Sequence, residues 1–454
     1  MQVKDRNSWD ILREHLEDGD AKGLNPFLAD QSGEDSLRAL MRLDPREQNQ
    51  VLAMLTPESA AEVFEFIPDE SAGDLLGELA PEVAASIVSE MPSDDQADVL
   101  SELDEEDLEQ ILSFMDRRDV GEARELMAYD DDVAGGLMMK EYFSFPQAYR
   151  AGAVLDDLAG REDEYELNHV QYIYVTTRGD ELLGVVRIRD IIFARPDTRL
   201  VNIVTPALTV SVMTTLDELE DFFDEHNISA VPVVDGTGRM LGVVRRRAVY
   251  DAVAERAEAD HLKSQGIVGG EELRSMPNLL RSRRRLSWLS VNILLNVIAA
   301  SVIAQFQDVL SAVIILAVFL PIISDMSGCS GNQAVAVSMR ELSLGIIKPA
   351  DFYYVWRKEV VVGLINGATL GVLIASVAWV WQGNGWLGLV VGGALALNTV
   401  IAVSIGGTVP VLLKSLKVDP AIASGPILTT ITDMCGFFLL LGSASLILPR
   451  LTGG

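Results

Sequence analysis

Five apolar stretches follow one another in the C-terminal part of the chain, and they constrain its fold more than any other feature. They run over 286–306, 309–339, 360–381, 386–413 and 421–448. A helix needs about 20 apolar residues to cross the hydrocarbon core of a bilayer. Soluble cores rarely contain five such runs in succession, so the sequence predicts a multi-pass α-helical membrane domain of five helices over 286–454.

Charge divides the 454-residue chain in two. Residues 284–454 carry nine basic and seven acidic side chains. The first 283 residues therefore carry 27 of the 36 basic and 60 of the 67 acidic side chains, so the excess of negative charge lies in this half. Such an acidic portion repels nucleic acid and attracts cations. We expect no nucleic-acid partner, and the N-terminal sequence, which has no apolar core, predicts no signal peptide.

The basic residues between the apolar stretches predict the orientation in the membrane. They occur before the first stretch and in alternate connections, whereas the connections at 307–308 and 382–385 contain none. Connections rich in Lys and Arg stay on the cytoplasmic side. We therefore expect a protein of the cell (inner) membrane with a cytoplasmic N-terminus and with its C-terminus outside.

Two aspartates lie within the apolar stretches, Asp325 and Asp433, and no intramembrane Lys or Arg could neutralise them. A carboxylate at the bilayer centre costs about 3 kcal/mol on insertion scales, so such a residue indicates function. The second stretch is also interrupted at 324–333 by "SDMSGCSGNQ". We expect this segment to break its helix, since irregular backbone at membrane depth must be buried or line a watery cavity.

These features predict a cation pathway through the membrane. Its metal-binding carboxylate is Asp433, and Asp325 is a further candidate that could instead cap a broken helix. The residues expected to line the pathway are Gly331, Asn332, Gln333, Gly425 and Thr429. The four His of the chain all lie in the acidic half, and the two Cys lie in different stretches. Carboxylate, carbonyl and hydroxyl oxygens suit hard cations, and a sparse site suits Mg²⁺, which gives up its water reluctantly.

The acidic half begins with recurring short helices. A spacing of 24 residues separates Pro57 from Pro81 and also Pro68 from Pro92, and acidic residues follow each proline. Proline and acids in the first turn are an N-terminal helix signal. The repeat predicts stacked helix pairs, and thus an all-α superhelical domain over 1–136.

A second duplication follows. The segment 169–193, "HVQYIYVTTRGDELLGVVRIRDIIF", matches 228–253, "ISAVPVVDGTGRMLGVVRRRAVYDAV". Each copy predicts a short strand, a helix, two β-branched strands and a last helix. The pair resembles tandem cystathionine-β-synthase (CBS) modules, here over 137–200 and 201–257. The resemblance implies that Asp190 could hold a ribose hydroxyl, with ATP as a possible ligand; a nucleotide-free structural pair is the alternative.

The order of these parts resembles the MgtE family of magnesium channels and transporters. The motifs that carry the resemblance are "SGNQA" (330–334), "RKEVVVGLING" (357–367), "GGTVPVLLKSLKVDP" (406–420) and "GPILTTITDMCG" (425–436). The resemblance implies a homodimer whose pore holds hydrated Mg²⁺ at Asp433, and a connecting helix with linker over 258–285. It also implies regulatory Mg²⁺ at Asp251, Asp260 and Asp419.

The chain departs from the family pattern at several of its regulatory positions. Asn227, Arg247, Ala248 and Ala259 stand where carboxylates are common, and "RRR" occupies 245–247. We therefore expect an altered response to intracellular Mg²⁺.

The predicted function is magnesium transport through a homodimer pore in the bilayer, gated by intracellular Mg²⁺. One alternative is a secondary exchanger that couples magnesium to sodium or protons, for which Asp325 could be the extra site. Another is a CBS-domain membrane sensor that transports nothing. No nucleophile–base pair or phosphate-binding loop is recognisable, so we do not expect an enzyme.

Overall fold

The computed structural model of the protein describes residues 7–160, 171–177, 181–267, 276 and 278–452, with only the backbone described at 422–424. These residues fall into two compact units that divide between Ala257 and Glu258. The first unit holds the helical array and the CBS modules, and the second holds the long apolar helices. The predicted fold class is confirmed.

The helical array consists of ten short helices. They are α1 (Ser8–Asp18), α2 (Ala21–Ala29), α3 (Gly33–Leu40), α4 (Pro45–Met54), α5 (Pro57–Phe64), α6 (Asp69–Gly77), α7 (Pro81–Val88), α8 (Ser93–Ser101), α9 (Glu105–Leu112) and α10 (Arg117–Leu126). Pro57 and Pro81 each occupy the first turn of a helix, where the missing N–H costs nothing. Alternate helices pack on one another, α5 on α7 and α6 on α8. The predicted 24-residue period is therefore one helix pair.

The two CBS modules form two small sheets. Their elements are β1 (Met138–Met139), β2 (Ser144–Pro146), α11 (Ala151–Ala159), β3 (Tyr172–Thr176), β4 (Leu182–Arg187), α12 (Ile188–Ile192), β5 (Val210–Ser211), α13 (Leu216–Glu225), β6 (Ala230–Val234), β7 (Met240–Arg245) and α14 (Arg246–Ser264), with a 3₁₀ turn at Leu200–Asn202. One sheet has the order β2-β3-β4 and the other β1-β7-β6-β5. Strand β1 lies within the range predicted for the first module, yet it pairs antiparallel with β7 of the second.

The connection to the membrane domain begins as part of the second module. Helix α14 continues without a break from 246 to 264, through the division between the two units. The remainder of the predicted connecting segment includes 268–275 and 277, which lie outside the described residues.

Five long helices make up the membrane domain: α15 (Asn278–Ala304), α17 (Leu316–Ser343), α18 (Phe352–Gln382), α19 (Gly385–Ser415) and α20 (Pro420–Leu446). Short helices α16 (Gln307–Ala312) and α21 (Leu448–Leu451) and a 3₁₀ turn at Pro349–Asp351 flank them. Among the described residues, α15, α18, α19 and α20 are long and apolar enough to span a membrane. Helix α17 has 28 residues, and its polar segment 324–333 lowers its apolarity.

The prediction that 324–333 breaks the second span was wrong. Helix α17 runs unbroken through this segment, although it begins at 316 rather than 309. One of its glycines, Gly331, serves close packing instead. A Cβ on Gly331 would lie 3.1 Å from the Ala402 carbonyl of α19, and a Cβ on Gly406 would lie 2.3 Å from the Gly331 carbonyl. The helices therefore approach through glycine, and no backbone hydrogen bond has to be sacrificed.

Helix α19 is the most buried of the membrane helices, and α18 packs along it. Gly363, Gly367 and Gly371 lie on the contact face of α18, and a Cβ on Gly367 would lie 2.5 Å from the Ala396 carbonyl. These small residues let the two helices approach closely.

Aromatic side chains mark the two ends of α18. Tyr353 and Trp356 are exposed near its start, and Trp379 and Trp381 are exposed near its end. Trp356 and Trp379 are separated by about 35 Å at a rise of about 1.5 Å per residue. This spacing matches the hydrocarbon core and the aromatic belts at its two interfaces.

Candidate ion pathway and predicted regulatory sites

Asp433 lies in the middle of α20 and is partly exposed. Its carboxylate accepts a hydrogen bond from the Ser324 hydroxyl of α17. Ser324 therefore orients the carboxylate across the contact of the two helices. The donor is a neutral hydroxyl and brings no positive charge to this carboxylate.

A buried amide supports the same turn of α20. Asn398 of α19 is fully buried and donates from Nδ2 to the carbonyl of Thr432 at 3.0 Å. Gly436 makes room for it, since a Cβ there would lie 2.7 Å from Nδ2. Sequence reasoning missed Asn398, although it is the only Asn, Gln or charged residue in 386–413. That isolation in an apolar span was the available signal.

Two buried side-chain oxygens, one on α17 and one on α19, have no hydrogen-bond partner among the described residues. They are Oδ1 of Asn398 and the hydroxyl of Ser327, both in fully buried residues. Such an oxygen costs about 1–3 kcal/mol when it is left unpaired. Ser327 lies one turn from Ser324 on α17, and Asn398 binds the residue before Asp433. Unpaired oxygens so close to a carboxylate are typical of a hydrated polar site.

A polar stripe covers the exposed face of α17. Asp325, Cys329, Asn332 and Gln333 are all exposed, and their spacing of four, three and one residues places them on one side of the helix. A carboxylate and two amides cannot face lipid without a large desolvation cost. This face must therefore lie against water or against polar groups of another chain.

Of the other predicted pathway residues, one is buried in a helix contact and another is exposed. Gly331 is buried where α17 contacts α19 and α20, so it does not lie on the exposed face of α17. Thr429 is exposed and donates to the carbonyl of Gly425 at 3.1 Å. Gly425, Thr429 and Asp433 follow at intervals of four residues, which places them along one face of α20.

Asp419 and Asp260 lie on either side of one lysine in the membrane unit. The ammonium of Lys263 is 3.7 Å from Oδ2 of Asp419 and 3.8 Å from Oδ1 of Asp260. Asp419 also caps the N-terminus of α20, since its Oδ1 accepts from the Ala421 amide at 2.8 Å. The structure thus brings these two predicted regulatory acids together around a protein cation.

The remaining predicted site residues are paired with arginines in the first unit. Asp251 accepts from Nε of Arg247 at 3.3 Å, and Asp190 accepts from Nε of Arg187 at 2.9 Å. Among the described residues, no three His, Cys, Asp or Glu side chains converge to hold a metal ion.

Three family models match the chain. They describe the MgtE divalent cation transporter (320–443), the MgtE intracellular N domain (33–132) and the CBS domain (201–255). The chain is 32% identical over 327 residues to the "Magnesium transporter MgtE" of Enterococcus faecalis, covering 72% of this chain and 71% of that protein. The chain belongs to the MgtE family.

Further MgtE relatives agree with this. The "Magnesium transporter MgtE" of Bacillus subtilis is 31% identical over 322 residues, which is 70% of each protein. Among solved structures, the soluble part of a magnesium transporter matches with a TM-score of 0.50 and 24% identity. It covers 55% of this chain and 98% of that structure, and it supports the fold of the helical array and CBS modules.

Proposed function

We propose that this MgtE-family protein transports magnesium across the cell membrane along a pathway that passes Asp433 and is formed by two copies of the chain. The exposed polar stripe of α17 beside Asp433 carries this proposal, because lipid cannot solvate it. One carboxylate from each copy makes a sparse oxygen site, which suits an ion that keeps most of its water. The kinship with magnesium transporters supports the choice of ion.

The test is magnesium uptake by transport-deficient cells that express Asp433→Asn. The amide keeps the shape of the side chain and removes its charge, so we expect uptake to be abolished at a normal membrane level of the protein. Asp308→Asn is the matched control, since Asp308 is exposed in the connection before α17. Wild-type uptake by a well-expressed Asp433→Asn protein would exclude this pathway.

The two-copy arrangement can be tested with a native cysteine. Cys329 is exposed within the polar stripe, and Cys435 is the only other cysteine of the chain. If the stripes of two copies face each other, oxidation of Cys435→Ala protein in membranes should yield a covalent dimer. The Cys329→Ala/Cys435→Ala protein should yield none. A Cys435→Ala protein that stays monomeric after oxidation would contradict the facing arrangement.

An exchanger that couples magnesium to sodium or protons is the second candidate, because Asp325 adds a carboxylate to the same exposed stripe. A channel should transport without a sodium or proton gradient, whereas an exchanger should not. In an exchanger, Asp325→Asn should alter the dependence on the coupling ion. In a channel, the same substitution should only lower the uptake rate.

We further infer that intracellular magnesium closes the pathway by binding at Asp260 and Asp419, with Asp251 as a third acid. Acidic modules repel one another, and a divalent ion lowers this repulsion. A ligand that binds the compact state stabilises it by about 2.7 kcal/mol per site at 100 times Kd. Limited proteolysis across a magnesium titration should show protection that weakens in Asp251→Asn/Asp260→Asn. Protection that is unchanged in this variant would mean that these residues only solvate the surface.

Nucleotide binding to the CBS pair is a further proposal, with Asp190 as the residue that would hold the ribose. The carboxylate lies in the first turn of α12 and is bound to Arg187. A ribose hydroxyl would have to share it with this guanidinium, so we expect weak binding of ATP. Titration calorimetry of wild-type and Asp190→Ala protein tests this, and equal ATP binding by both would exclude Asp190. No nucleic-acid partner is proposed for so acidic a surface.

A further inference from the structure

The helical array meets the second CBS module at a junction that involves an apolar contact. Ala97 of α8 and Leu126 of α10 are buried in one hydrophobic cluster with Val244 of β7 and Phe223 of α13. Apolar burial is independent of any ion. The charged groups at the rim of this contact therefore decide whether it also needs a cation.

Arg245 supplies one such cation. It ends β7, and its guanidinium donates to Oδ2 of Asp94 on α8 at 2.8 Å. The side chain of Asp94 is only 7% exposed. A nearly buried carboxylate requires a partner charge, because its desolvation is otherwise uncompensated. Arg245 of the second module thus provides the positive charge that Asp94 requires.

Arg247 supplies a second cation at the same edge. Its guanidinium lies 3.4 Å from Glu65, at the end of α5, and its Nε donates to Asp251 at 3.3 Å. One arginine therefore neutralises an acid of the array and an acid of the module together. A divalent ion between two carboxylates would do the same.

Polar contacts also join the helical array to the module at this junction. The Ser93 hydroxyl of α8 donates to Glu141 at 2.8 Å, and the backbone amide of Lys140 donates to the Ser93 oxygen at 2.7 Å. The ammonium of Lys140 binds Glu125 of α10 at 2.8 Å. Each bond joins the helical array to the segment that carries β1.

The acids of α8 also carry less charge than their number suggests. Burial and the neighbouring Asp94, Glu65 and Asp69 raise the pKa of Asp95 to about 7, although Arg245 opposes this. Burial, with Asp69, Asp94, Asp131 and Asp95 nearby, raises the pKa of Asp98 to about 9. Protons thus relieve part of the repulsion that remains beside the arginines.

We propose that Arg245 and Arg247 hold the helical array on the second CBS module in place of a divalent cation, so that this junction stays closed without magnesium. A divalent ion beside Asp94 would be repelled by the guanidinium already bound there. The carboxylates of Asp94 and Glu65 then take no part in the response to magnesium. This proposal concerns only the first unit and stands apart from the transport proposal.

Hydrogen exchange of the full-length, detergent-solubilised protein tests this, because two amides bond across the junction. They are the amide of Lys140, bound to Ser93, and the amide of Ser93, bound to Glu141. We expect their protection in EDTA to lie within about twofold of that in excess magnesium chloride. Loss of protection in EDTA by the wild-type protein would overturn the proposal.

A second set of hydrogen-exchange measurements uses variants of the two arginines. Arg245→Gln should lose protection of these two amides in EDTA, and the exposed Arg247→Gln should lose part of it. Arg256→Gln is the matched control, since Arg256 pairs with Asp217 inside the same module and should change neither amide. Unchanged protection in Arg245→Gln would contradict the proposal. Protection of the β6–β7 ladder in each variant reports that the module is folded.

Discussion

Lys263 offers a direct test of the proposed closure by magnesium, because its ammonium lies between Asp260 and Asp419 at 3.8 and 3.7 Å. A magnesium ion that binds these carboxylates must compete with the lysine. We therefore expect Lys263→Gln to close the gate at a lower magnesium concentration than the wild-type protein does.

The size of this effect follows from the exposure of the three side chains, which are between 38% and 43% exposed. Exposed ion pairs are each worth about 0.2–1 kcal/mol, so the two pairs together amount to about 1 kcal/mol. Since 1.4 kcal/mol corresponds to a factor of ten, the midpoint should fall about fivefold. Salt should reduce the difference between the two proteins, because the pairs are screened.

The assay is limited proteolysis of the solubilised protein across a magnesium titration. Lys263→Arg keeps the charge and should keep the wild-type midpoint, and Lys22→Gln, which removes a cation of the helical array, is a second control. An unchanged or higher midpoint in Lys263→Gln would refute the competition. If the wild-type protein shows no magnesium-dependent protection, the proposed gate itself is wrong, so the two failures are distinguishable.

Two further predictions concern the buried amide and the acidic helix. Gly436→Ala places a Cβ 2.7 Å from the Asn398 amide, so we expect magnesium uptake to fall at a normal expression level. Gly393→Ala is the control and should retain uptake, because no atom lies within 4 Å of its Cβ. Equal uptake by both variants would contradict a role for the amide. Because the pKa of Asp98 is raised, the native state keeps a proton that the unfolded chain loses above about pH 4. The free energy of unfolding should therefore fall as the pH rises from 5 to 9, by about 1.4 kcal/mol per pH unit for each retained proton. Thermal unfolding across this range should show a smaller decline in Asp98→Asn, and a parallel decline would contradict the assignment.

Much of the fold was predictable because its signals are local. Apolar length predicted the membrane helices, and the proline spacing predicted the helix pairs. The glycines of 324–333 misled the prediction, because a glycine that bends a helix and a glycine that lets helices touch look identical in sequence. Gly331 is of the second kind, since the Ala402 carbonyl and the side chain of Leu428 occupy the space of its Cβ.

The partners of the candidate site residues were less predictable. Asp433 stood out alone as a carboxylate in an apolar span, but its donor Ser324 lies 109 residues away along the chain. Nothing in the sequence between them indicates that pairing, which arises only when α17 and α20 pack together. The same holds for Asn398, whose amide reaches α20 from a different helix.

The sequence by itself determined which parts of this protein enter the membrane, because hydrophobic length and charge act on each segment separately. It also determined the repeats, since each unit carries its own pattern. Only the tertiary structure decided which charges meet, such as Arg245 with Asp94 and Lys263 with Asp419. The physical reason is that ion pairs and hydrogen bonds require atoms within a few ångströms, and packing of distant segments alone brings them that close.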